Sequence, residues 1–269
     1  MVLRGSKTKG TTVQNFVYGG TAGAFSRTIV APLDRIKILM QTTRTKTTIT
    51  NIYQNILKQE GITSLWKGNI LNCTRIIPYS ALQFGTYDYC KSFQSNMNVQ
   101  KRFVCGTIAG AVATTFTHPI DVIRHRLIMS NDIHTFGQAT RDILKEQRGL
   151  FKGYGSTISS LVPFIAINFM TFDTLKSELQ WTSVPGILSM GAVAAFSSQT
   201  ICYPLDTVRR RMQIRGTPYK NGLQAFFKIV KQEGFLKLYA GMTANALKII
   251  PNNSIRFLVY ELCRRTFNI

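Results

Sequence analysis

The alternation of apolar and polar stretches along the chain predicts six long helices. Residues 103–117, 155–172 and 184–204 are rich in Phe, Ile, Ala, Gly and Ser and nearly free of charge. About 20 apolar residues carry a helix across a bilayer, so these runs are short for isolated spans. They suit a bundle whose helices share a polar interior, where a few ionisable groups are tolerated. With their flanks, the pattern places spans near 12–41, 69–92, 102–129, 154–177, 185–213 and 242–265. An even number of spans puts both termini on one side. A polar loop with a short amphipathic helix follows the first span of each pair, as at Ile52 to Gln59, which ends in Glu60-Gly61. Gly19-Gly20…Gly23 and Gly106…Gly110 place small residues on one helix face, as close packing in a membrane requires. The expectation is an all-α integral membrane protein.

The pattern is periodic. Pro32-Leu-Asp34-Arg-Ile-Lys37, Pro119-Ile-Asp121-Val-Ile-Arg124 and Pro204-Leu-Asp206-Thr-Val-Arg209 stand 87 and 85 residues apart. Tyr87-Asp88-Tyr-Cys-Lys91, Phe172-Asp173-Thr-Leu-Lys176 and Tyr260-Glu261-Leu-Cys-Arg264 recur in step, 85 and 88 residues apart. Trp66-Lys67-Gly68, Phe151-Lys152-Gly153 and Tyr239-Ala240-Gly241 make a third set. Three independent markers at one period define tandem repeats, expected at 1–98, 99–181 and 182–269 with pseudo-threefold symmetry around a central cavity.

Charge sharpens the picture. The chain has 269 residues, 33 basic against 12 acidic, and a net charge of +21, yet only 17% of it is charged. A soluble nucleic-acid binder would spread such an excess over polar faces; here the bases interleave with apolar runs, so no nucleic acid is expected. The five cysteines lie singly, and His118, His125 and His134 lack ligand spacing, which argues against a disulfide framework or a metal site. No nucleophile–base–orienter set or phosphate-cradling glycine loop is present, so neither an enzyme nor a bound cofactor is expected. The polar tails are brief, so no appended regulatory domain is expected either. With all three repeats in one chain, a monomer suffices.

Each marker also carries an acid and a base at i and i+3: Asp34–Lys37, Asp121–Arg124 and Asp206–Arg209 in one set, Asp88–Lys91, Asp173–Lys176 and Glu261–Arg264 in the other. Both charges then lie on one helix face. Inside apolar spans such charges are costly unless they find partners in a polar interior. Threefold repetition implies a ring, in which each acid reaches the base of a neighbouring repeat.

The thrice-repeated Pro-x-Asp-x-x-Lys/Arg, followed by Glu60-Gly61…Trp66-Lys67-Gly68, resembles the mitochondrial carrier family over nearly the whole chain. The second repeat departs by one residue in Glu146-Gln-Arg-Gly149-Leu-Phe151, and the third by Ala240 where a base is usual. The resemblance implies transport across the inner membrane of a mitochondrion, or of a related organelle, by two alternating gates. On the matrix side, Asp34 would pair with Arg124, Asp121 with Arg209 and Asp206 with Lys37. Gln41 and Gln213, one turn beyond Lys37 and Arg209, look like the family's braces, and Ile128 stands in their place in the second repeat. Asp88, Lys91, Asp173, Lys176, Glu261 and Arg264 would form the cytoplasmic gate, with Tyr87 and Tyr260 as hydroxyl-bearing braces.

Gates repeat because they are structural, so an asymmetric substrate is read where the repeats differ. Thirteen residues before the acids of the second set lie Arg75, Ser160 and Lys248, about 20 Å away along a helix and near mid-bilayer. Leu161 follows Ser160, and Gln83, Asn168 and Arg256 stand eight residues beyond the triplet. Arg27, Thr114 and Gln199 precede the signature prolines by five, and Ile38, His125 and Arg210 follow the signature bases. Arg27, Arg75, Arg210, Lys248 and Arg256 are read as unmatched positive groups suited to phosphate. Ser160, Leu161, Phe164 and Asn168 suit a flatter moiety. Together they describe a nucleotide, a small phosphate-bearing anion crossing a lipid bilayer whose anionic headgroups suit the basic chain. The resemblance points to the adenine-nucleotide, ATP-Mg/phosphate and coenzyme A branch. Exchange of adenine nucleotides is the first expectation, and carriage of coenzyme A or a related cofactor the alternative.

Overall fold

The computed structural model describes residues 12–45, 47–93, 98–130, 135–146, 149–179 and 183–267. Its helices are α1 (Thr12–Thr42), α2 (Ile49–Glu60), α3 (Asn69–Thr74), α4 (Ile76–Ser92), α5 (Val99–Met129), α6 (Phe136–Leu144), α7 (Tyr154–Leu179), α8 (Val184–Met212), α9 (Gly222–Glu233) and α10 (Met242–Phe267). Arg75, between α3 and α4, keeps helical dihedrals, so 69–92 runs as one span. The six long spans fall within three residues of the expected boundaries. Val99–Met129 and Gly149–Leu179 are long and apolar enough to cross a membrane by length and composition alone. The loop helix α2 starts earlier than Ile52 because the Thr48 hydroxyl accepts from the Asn51 amide and caps it at Ile49.

The spans close into a ring. The second long helix of each repeat packs on the first of the next: α4 on α5, α7 on α8, and α10 on α1. The α1 helix also meets α5 and α8. The polarity is inside out relative to a water-soluble bundle. Phe116 is 67% exposed and Ile201 59%, whereas Asp121 is 1% exposed and Arg124 7%. Large apolar side chains coat the outside as a lipid-facing surface requires, and the charges turn inward where partners satisfy them. This is the six-span all-helical architecture expected.

The third marker has a packing reason. Gly241 sits at φ +83°, a left-handed conformation that penalises any Cβ, and an added Cβ would lie 3.0 Å from the Lys37 carbonyl oxygen. Gly68 and Gly153 repeat this approach against Ile128 and Met212. Each loop therefore presses backbone against the end of the neighbouring repeat's first helix, where the acid–base signature lies.

Side-chain ties fix each loop segment to the first helix of its own repeat, and in repeats one and three a lysine then reaches across to the next. Arg35 pairs with Glu60 at 2.6 Å, Arg126 with Glu146 at 2.7 Å, and Arg211 with both oxygens of Glu233. Burial raises the pKa of the Glu146 carboxyl, but the hydrogen bonds from Lys152 and Arg126 outweigh it and hold the group below its ordinary range. Lys67 donates to the Ser130 carbonyl of repeat two at 2.8 Å. In repeat three, where Ala240 replaces the base, Lys237 instead reaches the Thr45 carbonyl of repeat one at 2.5 Å. The departure in the motif is thus compensated three residues earlier.

Candidate functional site

Each odd-numbered span ends in the acid–base signature, and the ring topology brings the three ends together. Arg124 donates to Asp34, Arg209 to Asp121 at 2.9 Å and Lys37 to Asp206 at 3.1 Å. All three pairs cross between repeats, so the i,i+3 spacing serves to aim both charges inward. Asp34, Lys37, Asp121 and Arg124 are buried. Breaking such a buried pair costs about 3–5 kcal/mol, because one charge is left without a partner.

The structure corrects the reading of the central bases as unmatched. Arg75 donates to Asp121 at 2.5 Å and Lys248 to Asp34 at 2.5 Å. Arg210 lies 3.7 Å from Asp206, one turn along the same helix. Every acid of the closed ring is therefore flanked by two bases. Three carboxylates face six cations, so the excess of positive charge is real but collective. Sequence spacing could not show this, because the second base of Asp34 and of Asp121 comes from a different span. Arg27 is engaged too, donating to the Oδ1 of Asn72 at 3.1 Å and to its carbonyl at 3.3 Å.

The braces divide. The Gln41 Nε2 donates to Asp206 at 3.2 Å and to the Thr207 hydroxyl at 3.4 Å. Gln213 is fully buried, and neither its Nε2 nor its Oε1 has a partner among the described residues. Both oxygens of Asp121 already take a guanidinium, and the Gln213 side chain packs against Gly153 instead. The expected bracing contact of Gln213 is absent.

Two cavities lie at this ring. One, of about 180 Å³, is lined by Arg27, Asp34, Arg124, Arg210, Lys248 and Asn252. The other, of about 230 Å³, is lined by Arg75, Tyr79, Ser160, Leu161, Phe164 and Gln199, among others. The first is strongly cationic; the second sets one aliphatic and two aromatic side chains beside neutral polar groups, with Arg75, Arg209 and Asp206 at its charged edge. Ser160 is buried, its hydroxyl donating to the Thr157 carbonyl at 2.9 Å. Gln83 and Asn168 are half-buried and line neither cavity. Tyr79 and Asn252 were missed, although both stand one turn beyond the Arg75/Ser160/Lys248 triplet, in register with Phe164.

The second set is arranged differently. Asp88, Lys91, Asp173 and Lys176 are exposed, and none makes an ion pair among the described residues. Tyr87 is half-buried without a hydrogen-bond partner there. The side chains of Arg256, Tyr260, Glu261 and Arg264 lie outside the described residues. The ring near the loop helices is closed in this conformation, while the four described members of the other set stand apart.

Three repeats, a closed ring and two cavities lined by its charges agree with what comparison of the chain finds. The mitochondrial carrier protein family matches residues 8–98, 95–183 and 180–269. The chain belongs to the mitochondrial carrier family. Among its relatives are a thylakoid ADP,ATP carrier protein and a probable envelope ADP,ATP carrier protein of Arabidopsis thaliana, both chloroplastic. They are 39% and 36% identical to it, over 93% of this chain and 65% and 70% of their own lengths. The mitochondrial adenyl nucleotide antiporter SLC25A24 of Bos taurus is 36% identical over 98% of this chain and 60% of its own length. The chain thus spans between 60% and 70% of the length of these relatives. Within the family, both departures of this carrier lie in the loop segments, and the residues of the closed ring keep the repeated signature.

Proposed function

We propose that this carrier exchanges adenine nucleotides across the inner membrane of a mitochondrion or a related organelle, acting as a single copy. The observation that supports it most is the contrast between the two cavities at the ring. The cationic cavity around Arg27, Arg210 and Lys248 suits a polyphosphate, and the aromatic side of the other, around Tyr79, Leu161 and Phe164, suits a base. The names of the relatives, nucleotide carriers of mitochondria and of chloroplasts, support the substrate class and leave the choice of organelle to the family as a whole. ATP against ADP, or ATP-Mg against phosphate, would fit the same cavity.

The mechanism follows from shared partners. Substrate phosphates compete with Asp121 for Arg75 and with Asp34 for Lys248. When they win, Asp121 is left with only Arg209 and Asp34 with only Arg124, and the closed ring weakens. A ligand shifts such an equilibrium only through its differential affinity for the two states; here that differential is the transfer of two cations from carboxylate to phosphate. The closed ring is assigned to the matrix side. The second set, Asp88, Lys91, Asp173, Lys176, Glu261 and Arg264 with Tyr87 and Tyr260, is assigned as the gate that closes in turn. An empty carrier keeps its bases on its own acids, which favours exchange over one-way flow.

The test is uptake of labelled ATP by proteoliposomes loaded with ADP. Saturable uptake that depends on the internal nucleotide is expected, with loss of at least tenfold in Arg75→Ala and in Lys248→Ala. Uptake of coenzyme A without uptake of ATP or ADP would overturn the assignment.

A further inference from the structure

The flatter cavity contains a primary amide whose hydrogen-bonding capacity is unspent. Arg75 is held by Asp121 and lies 5.2 Å over the Tyr79 ring, and Arg209 is held by Asp121. Asp206 receives Lys37 and Gln41, and the Ser160 hydroxyl is given to a backbone carbonyl. Gln199, from α8, lines this cavity together with Leu161 and Phe164, is half-buried, and has no hydrogen-bond partner among the described residues. Its equivalents in the other repeats are Arg27, which is spent on Asn72, and Thr114. Among these three positions, only Gln199 offers a planar acceptor and donors side by side.

We propose that Gln199 selects the base. Its Oε1 accepts from the exocyclic amino group of adenine and its Nε2 donates to the neighbouring N7, while Leu161 and Phe164 contact the ring faces. A primary amide is the natural partner of that edge, whereas guanine offers two acceptors there and suits a cationic fork instead. A base carrying no amino group would leave the amide oxygen without a donor inside the cavity. The inference rests on the nucleotide reading of the carrier and names the residue that makes it adenine-specific.

The experiment uses the full chain in ADP-loaded proteoliposomes. Labelled ATP uptake is competed by ATP, by the 6-unsubstituted purine riboside triphosphate, by GTP and by inorganic tripolyphosphate. The unaltered carrier should prefer ATP to the other two nucleotides by about fivefold or more. In Gln199→Leu that preference should fall to near unity, with tripolyphosphate competing as before. Gln199→Arg should move the preference toward GTP. If Gln199→Leu does not transport, the same ratio is read from thermal stabilisation of the purified variant by each nucleotide. An unchanged preference in Gln199→Leu overturns this inference alone. Failure of the unaltered carrier to take up any nucleotide overturns the proposed function, and the inference with it.

Discussion

The join between repeats three and one and the join between repeats two and three are written in nearly the same residues, yet they are built differently. At the first, Lys37 reaches Asp206 at 3.1 Å and lies 5.3 Å over the Tyr203 ring. The Gln41 Nε2 donates to the same carboxylate while the Gln41 backbone carbonyl accepts from Arg211 at 2.9 Å, and Lys237 ties to Thr45. At the second, Arg209 and Arg75 divide the two oxygens of Asp121, Arg215 pairs with Asp142 at 3.2 Å, and Gln213 stands idle. Lysine is a compact point charge, whereas arginine is a planar fork with five donors. A lysine leaves room on the carboxylate for an amide; two guanidiniums do not. Equal motifs therefore produce one join strengthened by neutral hydrogen bonds and another held almost wholly by charge.

The sharpest way to break the second join is Asp121→Ala. It removes the only acid between two guanidiniums at a site 1% exposed. Thermal unfolding in detergent should show a loss of about 3–5 kcal/mol, and exchange should fall by at least tenfold. Full stability in this variant would mean that the ring contributes nothing to the closed state.

Opposite responses at the two glutamines would sharpen the comparison. Gln41→Leu removes a working brace and should cost about 0.5–1.5 kcal/mol. Gln213→Leu exchanges two unsatisfied buried polar atoms for methyl groups and should be neutral or slightly stabilising. Equal destabilisation by both, measured under the same conditions, would contradict the difference between the joins.

A smaller effect concerns the loop tie. Lys237→Met should lower the melting temperature by a few degrees, as expected for loss of about 1 kcal/mol. Adding Ala240→Lys, which restores the base at the motif position, should recover most of it. No recovery would show that the two positions do not serve the same join.

Much of the fold was legible because its markers are local. Apolar runs bounded the spans to within three residues, and the repeat placed the acids and bases on particular faces. The cross-repeat pairs were implied by resemblance, and the structure contains all three contacts. The partners of Arg75 and Lys248 were not legible. Asp121 and Asp34 lie on other spans, 46 and 214 residues away, and only ring closure brings them together. The idleness of Gln213 was equally hidden, since it follows from how two guanidiniums crowd a single carboxylate.

By itself the sequence determined what local chemistry can encode: which segments are apolar enough to be helices, where glycine lets the loops turn, and which positions break the threefold repeat. The tertiary structure decided which charges share partners. That choice depends on side-chain reach and on competition for a few buried carboxylate oxygens, where an unmatched charge is too costly to leave alone.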